Sequence, residues 1–539
     1  MRKTMCGIAG IYHYEPDTMN DAVMEKMLAC MSHRGPDGSG IYKDHEIMLG
    51  HKRLAIIDLT SGAQPMTNAD KSIWVSANGE IFNYIELKHD LKKKGYSFST
   101  TCDIEVIAPL YQEYGMDFLS HLNGQFAFAL WDSRAHRLVL ARDRFGIAPF
   151  FYARKGNSLV FASTVRALLP VLGSAEIDLE GLAQVFTFWN TFAPKTVFKG
   201  IHQLRPGECI IHEKDSSRSF IYWDMSFPGM GQHDISAEEK AVSAIRETLD
   251  VSTSIRLRSD VPVGAYLSGG LDSSILTTLV NRHAEHMETF SVSFSDPAYD
   301  EAPFQEAMGR MLGTNHRVTK VSYADIGDVF AEVVRHCETP ILRSAPAPMF
   351  MLSSLTRGHG IKVVLTGEGA DEMFGGYDIF KEAKIRRFWA ENPSSGMRPL
   401  LLFRLYPYSP VQMKRSGRLL MSFYKKDLMN TGHFGYSHLP TWRNTSTIMQ
   451  YFSKEVHHEL GSYDPIEELR GSMPEEFSSW HPLNQAQYLE IKLLLAGYLL
   501  CSQGERMAMA NSVEGRYPFL DHNVAELSSR IDPMLKLRG

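Results

Sequence analysis

The chain has little cysteine for its length: six in 539 residues, at positions 6, 30, 102, 209, 337 and 501, with no CxxC pair. That spacing argues against a disulfide framework and fits a reducing compartment. Long apolar runs are also missing. The longest, Pro399 to Leu405 and Leu493 to Leu500, are too short or too interrupted to span a bilayer. Met-Arg-Lys-Thr-Met-Cys at the start leads into no signal-peptide pattern, so a cytoplasmic protein without membrane association is expected. Positive charge is not in excess. A formal net charge of -6 argues against a nucleic-acid-coating protein and leaves small-molecule chemistry as the default. Walker A and HExxH patterns are absent, His457-His458-Glu459 lacking the required spacing.

What is there is an ordinary globular composition, 44% hydrophobic and 22% charged, in a chain long enough for two large domains or three smaller ones. Up to about Leu169, short β-branched or aromatic runs (Ile73 to Ala77, Gln125 to Trp131, Arg137 to Ala141, Leu159 to Ala162) predict strands, with a hairpin turning at Ser133 to His136. Helices are expected near Met19 to Met31, Tyr84 to Lys94 and Asp103 to Tyr114. The domains are placed at 6–200 and 236–539. Between them, 201–235 reads as a connecting segment that ends in the polar, Gly- and Pro-containing stretch after Phe227. Ser236 with Glu239 has capping-box spacing ahead of a helix. Strands Val261 to Leu267, Phe290 to Phe294, Arg317 to Val321 and Lys362 to Leu365 then alternate with helical patterns, which predicts a doubly wound parallel sheet. Ala383 to Ala510 reads as a helical cap.

Two constellations carry chemistry. The first is Cys6-Gly7, His33-Arg34-Gly35-Pro36-Asp37, Arg53, Asn78-Gly79-Glu80-Ile81-Phe82-Asn83 and Asp103. Taken singly, Arg53 and Asp103 read as solvated surface charges, Arg34 with Asp37 as a turn-stabilising pair, and Asn78-Gly79 as a hairpin turn. The second begins as a buried-type strand and runs through Leu267-Ser268-Gly269-Gly270-Leu271-Asp272-Ser273 into a helix. This is a loop whose amides and hydroxyls suit phosphate. Thr366-Gly367-Glu368-Gly369-Ala370-Asp371-Glu372 follows another strand, and its acids would repel unless a cation or ligand shares them.

In order, the first set resembles class II glutamine amidotransferases over Cys6 to about Leu169, and the second resembles the pyrophosphate loop of ATP pyrophosphatases. Together they resemble glutamine-dependent asparagine synthetases. The resemblance implies an N-terminal four-layer sandwich of antiparallel sheets and helices of the Ntn-hydrolase type, followed by the parallel-sheet domain. It implies Cys6 as nucleophile and Asn78 with the Gly79 amide as oxyanion hole. Arg53 would bind the glutamine α-carboxylate, and Glu80 with Asp103 its ammonium. ATP would lie on Leu267, Ser268, Gly269, Gly270, Leu271, Asp272, Ser273, Val292, Thr366 and Gly367. Asp272 and Asp371 would hold Mg2+, Glu368 would act beside the reacting carbonyl, and Arg343 would take the aspartate carboxylate.

Glutamine, aspartate and ATP are then the expected substrates, and a homodimer is a compatible assembly. An N-terminal cysteine carries its own base, an α-amine of pKa roughly 7.7 to 8.0, so a start at Met5 that frees Cys6 is expected. Family members run past the equivalent of Leu535 to Gly539 into a segment with a basic residue that closes over the adenylate, and its absence here would impair the ligase half. Two alternatives stay open: a related ligase amidating another carboxylate, and a non-catalytic paralogue.

Overall fold

A computed structural model of the chain describes residues 6–14, 20–214, 216–284, 287–405 and 410–538. Met5 and the first residue of the helix expected from Met19 lie outside these. In the first 221 residues the described strands are β1 (Gly7–His13), β2 (Gly38–Lys43), β3 (Ile47–Arg53), β4 (Met66–Thr67), β5 (Ile73–Ile81), β6 (Gly124–Asp132), β7 (Arg137–Arg142), β8 (Phe151–Lys155), β9 (Ser158–Ala162), β10 (Ile201–Gln203), β11 (Glu208–Glu213) and β12 (Ser216–Ile221). They form two six-stranded sheets, ordered β10-β8-β9-β1-β3-β2 and β12-β11-β7-β6-β5-β4, with antiparallel pairing throughout.

The period-2 alternation of a strand sends successive side chains to opposite faces, and here both faces are apolar. Ile8 and Tyr12 of β1 meet Ala127, Ala129 and Trp131 of β6 between the sheets. Ala9 and Ile11 point the other way, onto Met24, Met27 and Leu28 of helix Asp21–Cys30. Phe126, Phe128 and Leu130 cover the outer face of the second sheet under helices Tyr84–Lys93 and Ile107–Tyr114. The result is a helix–sheet–sheet–helix sandwich, each buried large side chain contributing about 1.5–3 kcal/mol. The hairpin turns where expected, with Asp132 opposite Arg137.

The second half is a five-stranded sheet of β13 (Val263–Tyr266), β14 (Glu288–Phe294), β15 (Asn315–Val321), β16 (Val363–Leu365) and β17 (Glu514–Arg516), ordered β15-β14-β13-β16-β17. Every pairing is parallel. The chain winds outward from β13 to β15, then returns to place β16 on the other side of β13. That reversal opens a crevice at the carboxyl ends of β13 and β16, where sheets of this type bind ligands. Helices follow from Asp378 onward as expected, including the i→i+5 stretch Ile491–Glu505.

Four expectations need correction. Residues 201–221 are not a connector: β10, β11 and β12 complete the two N-terminal sheets, hidden in the sequence by their shortness and by the exposed, polar face of β12. The stretch after them is no loose linker either, because Met225 and Phe227 are buried against Leu469, Phe477 and Trp480. The Ser236/Glu239 capping box does not form. Helix Glu238–Arg256 starts from Ala237 without a side-chain cap, whereas Ser322 and Asp325 do cap Tyr323–Cys337 reciprocally. Finally, β17 was missed because Glu-Gly-Arg has no strand-like pattern.

Candidate active site

Gly7 pairs with Lys52 across β1 and β3, so Cys6 falls beside Arg53 and Leu54. The Leu54 amide donates to Cys6 Sγ at 3.3 Å, and the Leu54 carbonyl oxygen lies 3.6 Å away. Burial pushes the thiol up to about 12, against the opposing pull of that amide. A thiol rests here, so attack requires a base, and neither backbone group of Leu54 can serve as one.

The second sheet is pinned to the first beside this point. Ser76 Oγ donates to the Gly50 carbonyl at 3.1 Å. His51, which burial holds neutral by pulling it down to about 3, donates from Nε2 to the Ala77 carbonyl at 3.0 Å. The residues that follow Ala77 line the site. Asn78 is buried, with Oδ1 unpartnered. Gly79 adopts φ +120°, and a Cβ there would sit 2.0 Å from the Gln125 carbonyl oxygen, so glycine alone fits. Glu80 and Asp103 are both buried. Burial raises each, and the charge of Asp103 raises Glu80 further. Asp103 Oδ2 accepts from the Ile81 amide at 2.8 Å, while Glu80 Oε2 has no partner. Two dry carboxylates side by side demand a proton or a cation. An ammonium group fits. Arg53 is held at this end by the carbonyls of Ile57, at 3.2 Å, and Asp58.

Arg34 and Asp37 do not pair with each other. Arg34 Nε donates to the Cys6 carbonyl at 3.1 Å, and its terminal nitrogens reach Glu505 of the second domain. Asp37 accepts from Lys362 at 2.8 Å. Sequence reasoning missed both links, since a charge aimed across a domain boundary has no local signature. It gave no role to Glu514 and Arg516, which are fully buried beside Glu80.

At the sheet reversal the chain leaves β13 through Leu267 to Ser273. Gly269 adopts φ +84°, with a Cβ excluded by the Gln305 amide nitrogen and Phe304 Cβ, both at 2.9 Å. Ser268 Oγ and Ser273 Oγ are 2.9 Å apart, and Ser268 Oγ accepts from the Gly270 amide at 3.2 Å, so the loop is tied across itself. No side chain caps helix Leu271–His283, which leaves its first amides for an anion. Leu271 is exposed at the rim, and Val292 lies in neighbouring β14, its carbonyl accepting from Gln305 at 2.9 Å.

From β16 come Thr366, whose hydroxyl bonds Glu368, and Gly367, which abuts Asp272 and Ser273 and so brings the two loops together. Burial raises Glu368. Asp371 is raised to about 6, first by burial and then by the charge of Asp272. Two mutually repelling carboxylates suit Mg2+, which takes one or two carboxylates together with phosphate oxygens. Among the described residues no group of three or more His, Cys, Asp or Glu side chains is placed to hold a metal ion. Arg343 is placed differently. Its Nε donates to Tyr498 at 2.9 Å and its guanidinium lies over Trp189, partners that belong to neither loop. A cavity of about 520 Å³ between Phe192, Trp223, Tyr488 and Lys492 contains none of these residues.

Cys6 packs against an apolar cluster of Leu54, Ile56, Ile57, Val363 and Met509, a seam that crosses from one domain to the other. The glutamine amidotransferase domain family matches residues 5–223, and the asparagine synthase family matches 244–539. The chain is similar to a glutamine-hydrolysing asparagine synthetase of Bacillus subtilis, at 31% identity over 99% of this chain and 82% of the relative. It is similar also to an amidase, chyE, of Penicillium rubens, at 32% over 96% and 79%, and to an amidase, chry2, of Gibberella zeae, at 29% over 99% and 84%. On both domain matches and on the Bacillus subtilis relative, the chain belongs to the glutamine-hydrolysing asparagine synthetase family.

Proposed function

We propose that the protein converts aspartate to asparagine, with ATP as the activating substrate and glutamine as the nitrogen source. The observation that carries this reading is the apolar packing of Cys6 on a cluster that includes Val363 and Met509 of the second domain, which would keep water from ammonia as it leaves the first site. Water would protonate ammonia and end its nucleophilicity.

Cys6 Sγ attacks the glutamine side-chain amide carbon. The oxyanion is held by the Gly79 amide and the Asn78 side chain. Ammonia leaves, and water hydrolyses the γ-glutamyl thioester to glutamate. The thiol proton passes to the α-amine of Cys6, once that residue is N-terminal, and from there to the departing nitrogen. Arg53 binds the substrate carboxylate, and Glu80 with Asp103 binds its ammonium, a pairing that selects a free amino acid.

In the second domain, ATP lies along Leu267 to Ser273 with Val292, Thr366 and Gly367. The aspartate β-carboxylate attacks the α-phosphorus and pyrophosphate leaves, forming β-aspartyl-AMP. Ammonia then displaces AMP, with Glu368 taking its proton. Asp272 and Asp371 would hold Mg2+, which supplies charge neutralisation for the departing pyrophosphate.

A different acceptor is the second reading. It is favoured by the two fungal amidases at comparable identity and coverage, and by the engagement of Arg343 with Tyr498 and Trp189. ATP–pyrophosphate exchange decides: exchange dependent on aspartate supports the synthetase, and exchange only with other carboxylic acids overturns asparagine as the product.

A further inference from the structure

Arg516 is fully buried and touches both sites. Its Nε donates to Glu514 Oε1 at 2.7 Å, and Nη1 to the carbonyls of Arg256 at 2.8 Å and Arg258 at 2.7 Å. That leaves Nη2, which makes no hydrogen bond. It lies 3.8 Å from Glu80 Oε2, which makes none either. A guanidinium nitrogen and a carboxyl oxygen, neither with a hydrogen bond, therefore face one another at ion-pair distance across a gap too long for a hydrogen bond. The backbone of the same residue reaches the other way. Arg516 pairs with Leu365 across β17 and β16, and its carbonyl accepts the Thr366 amide at 3.0 Å. The Thr366 hydroxyl bonds Glu368.

Charge counting gives the direction. Glu80, Asp103 and Glu514 are three buried carboxylates around one guanidinium. The surplus is negative, so the cluster favours a proton or a bound cation. The glutamine ammonium proposed to sit on Glu80 and Asp103 is such a cation. Its arrival fixes the charge on Glu80 and favours closing the gap to Nη2. Three other hydrogen bonds already hold the guanidinium, so closing the gap displaces β17, or the Arg256 and Arg258 carbonyls, rather than the arginine side chain alone.

We propose that Arg516 is a positioning residue that couples glutamine occupancy beside Cys6 to the placement of Thr366 and Glu368 in the synthetase site. This rests on the function proposed above. A purely structural role would require only that Arg516 neutralise Glu514 and fill the interface. Coupling requires in addition that each site change the affinity of the other, reciprocally.

The test measures glutaminase kcat/KM in the full chain, with and without ATP plus acceptor, and reads the ratio. In the unmodified protein the ratio should be about 5 or more, the lower end of ordinary coupling. In Arg516→Lys, which keeps the charge but loses the fork, it should fall towards 1 while hydrolysed glutamine comes to exceed the amide product formed. An unchanged ratio in the variant overturns the proposal, as does a ratio of 1 in the unmodified protein when both half-reactions run. Should Arg516→Lys fail to fold, a ratio of 1 in the unmodified protein still overturns the proposal. Alkylating Cys6 with a diazoketone analogue of glutamine should change the KM for the acceptor in ATP–pyrophosphate exchange, and no change overturns the coupling. Absence of both glutaminase and exchange would overturn the proposed function and the coupling together, which separates that failure from a failure of the coupling alone.

Discussion

At the scale of single residues, the two half-reactions should separate cleanly. Cys6→Ala should abolish glutamine-dependent amidation and leave ammonia-dependent amidation intact, measured as product formed with each nitrogen donor. Glu80→Gln removes a charge-assisted contact worth about 1.5–3 kcal/mol, so kcat/KM for glutamine should fall about 10- to 100-fold. Glu368→Gln should do the reverse of Cys6→Ala, sparing glutamine hydrolysis while the ATP-dependent half is lost. The pH behaviour of Asp371 follows from its direction of shift. Its carboxyl is raised from 3.8 to about 6 by burial and by Asp272. The protonated form is therefore favoured in the folded protein without a bound cation, and this stabilising contribution is full below about 3.8 and lost as pH rises through about 6. Cation binding needs the carboxylate, so thermal protection by Mg2+ with ATP should grow across the same window. Asp371→Asn should flatten that growth.

At the scale of elements, the phosphate loop is legible because its needs are local. Gly269 must take a positive φ, Ser273 must close onto Ser268, and a helix must begin immediately. Ser273→Ala removes the hydroxyl that organises the loop, and the expected result is a higher KM for ATP with a smaller change in kcat, read from exchange kinetics. The strand order that opens the crevice is not local in this sense. Alternating strands and helices announced a parallel sheet, but only the pairing of β13 with both β14 and β16 shows where the winding reverses. β17 is the sharper failure. Three residues, two of them charged, carry no strand signal, and they form a strand because Lys362 to Leu365 offers a parallel edge and Arg256, Arg258 and Glu514 hold Nε and Nη1 of Arg516. Likewise the failed cap at Ser236 and the real one at Ser322 have similar spacings in the sequence. Asp325 reaches back to the Ser322 amide at 2.9 Å; Glu239 makes no such bond.

At the scale of the whole molecule, function depends on how the two domains are held. Arg34 ties the Cys6 carbonyl to Glu505, Lys362 ties Asp37 and the Ala55 carbonyl, and Glu338 accepts the Val165 and Arg166 amides. Arg34→Ala would leave the Glu505 carboxylate buried without its partner, a loss of about 3–5 kcal/mol of stability measurable by denaturant unfolding. The apolar seam matters most to the proposed function, which needs ammonia to cross between the domains for the two chemistries to become one reaction. The most direct test supplies glutamine labelled with 15N at the side-chain amide, together with ATP, the acceptor and a large excess of unlabelled ammonium, and follows the isotope in the product. Ammonia passed along the seam from Cys6 reaches the acceptor without mixing, so the product amide should stay enriched in 15N well above the labelled fraction of bulk ammonium. A product labelled only in proportion to the bulk pool would contradict the account.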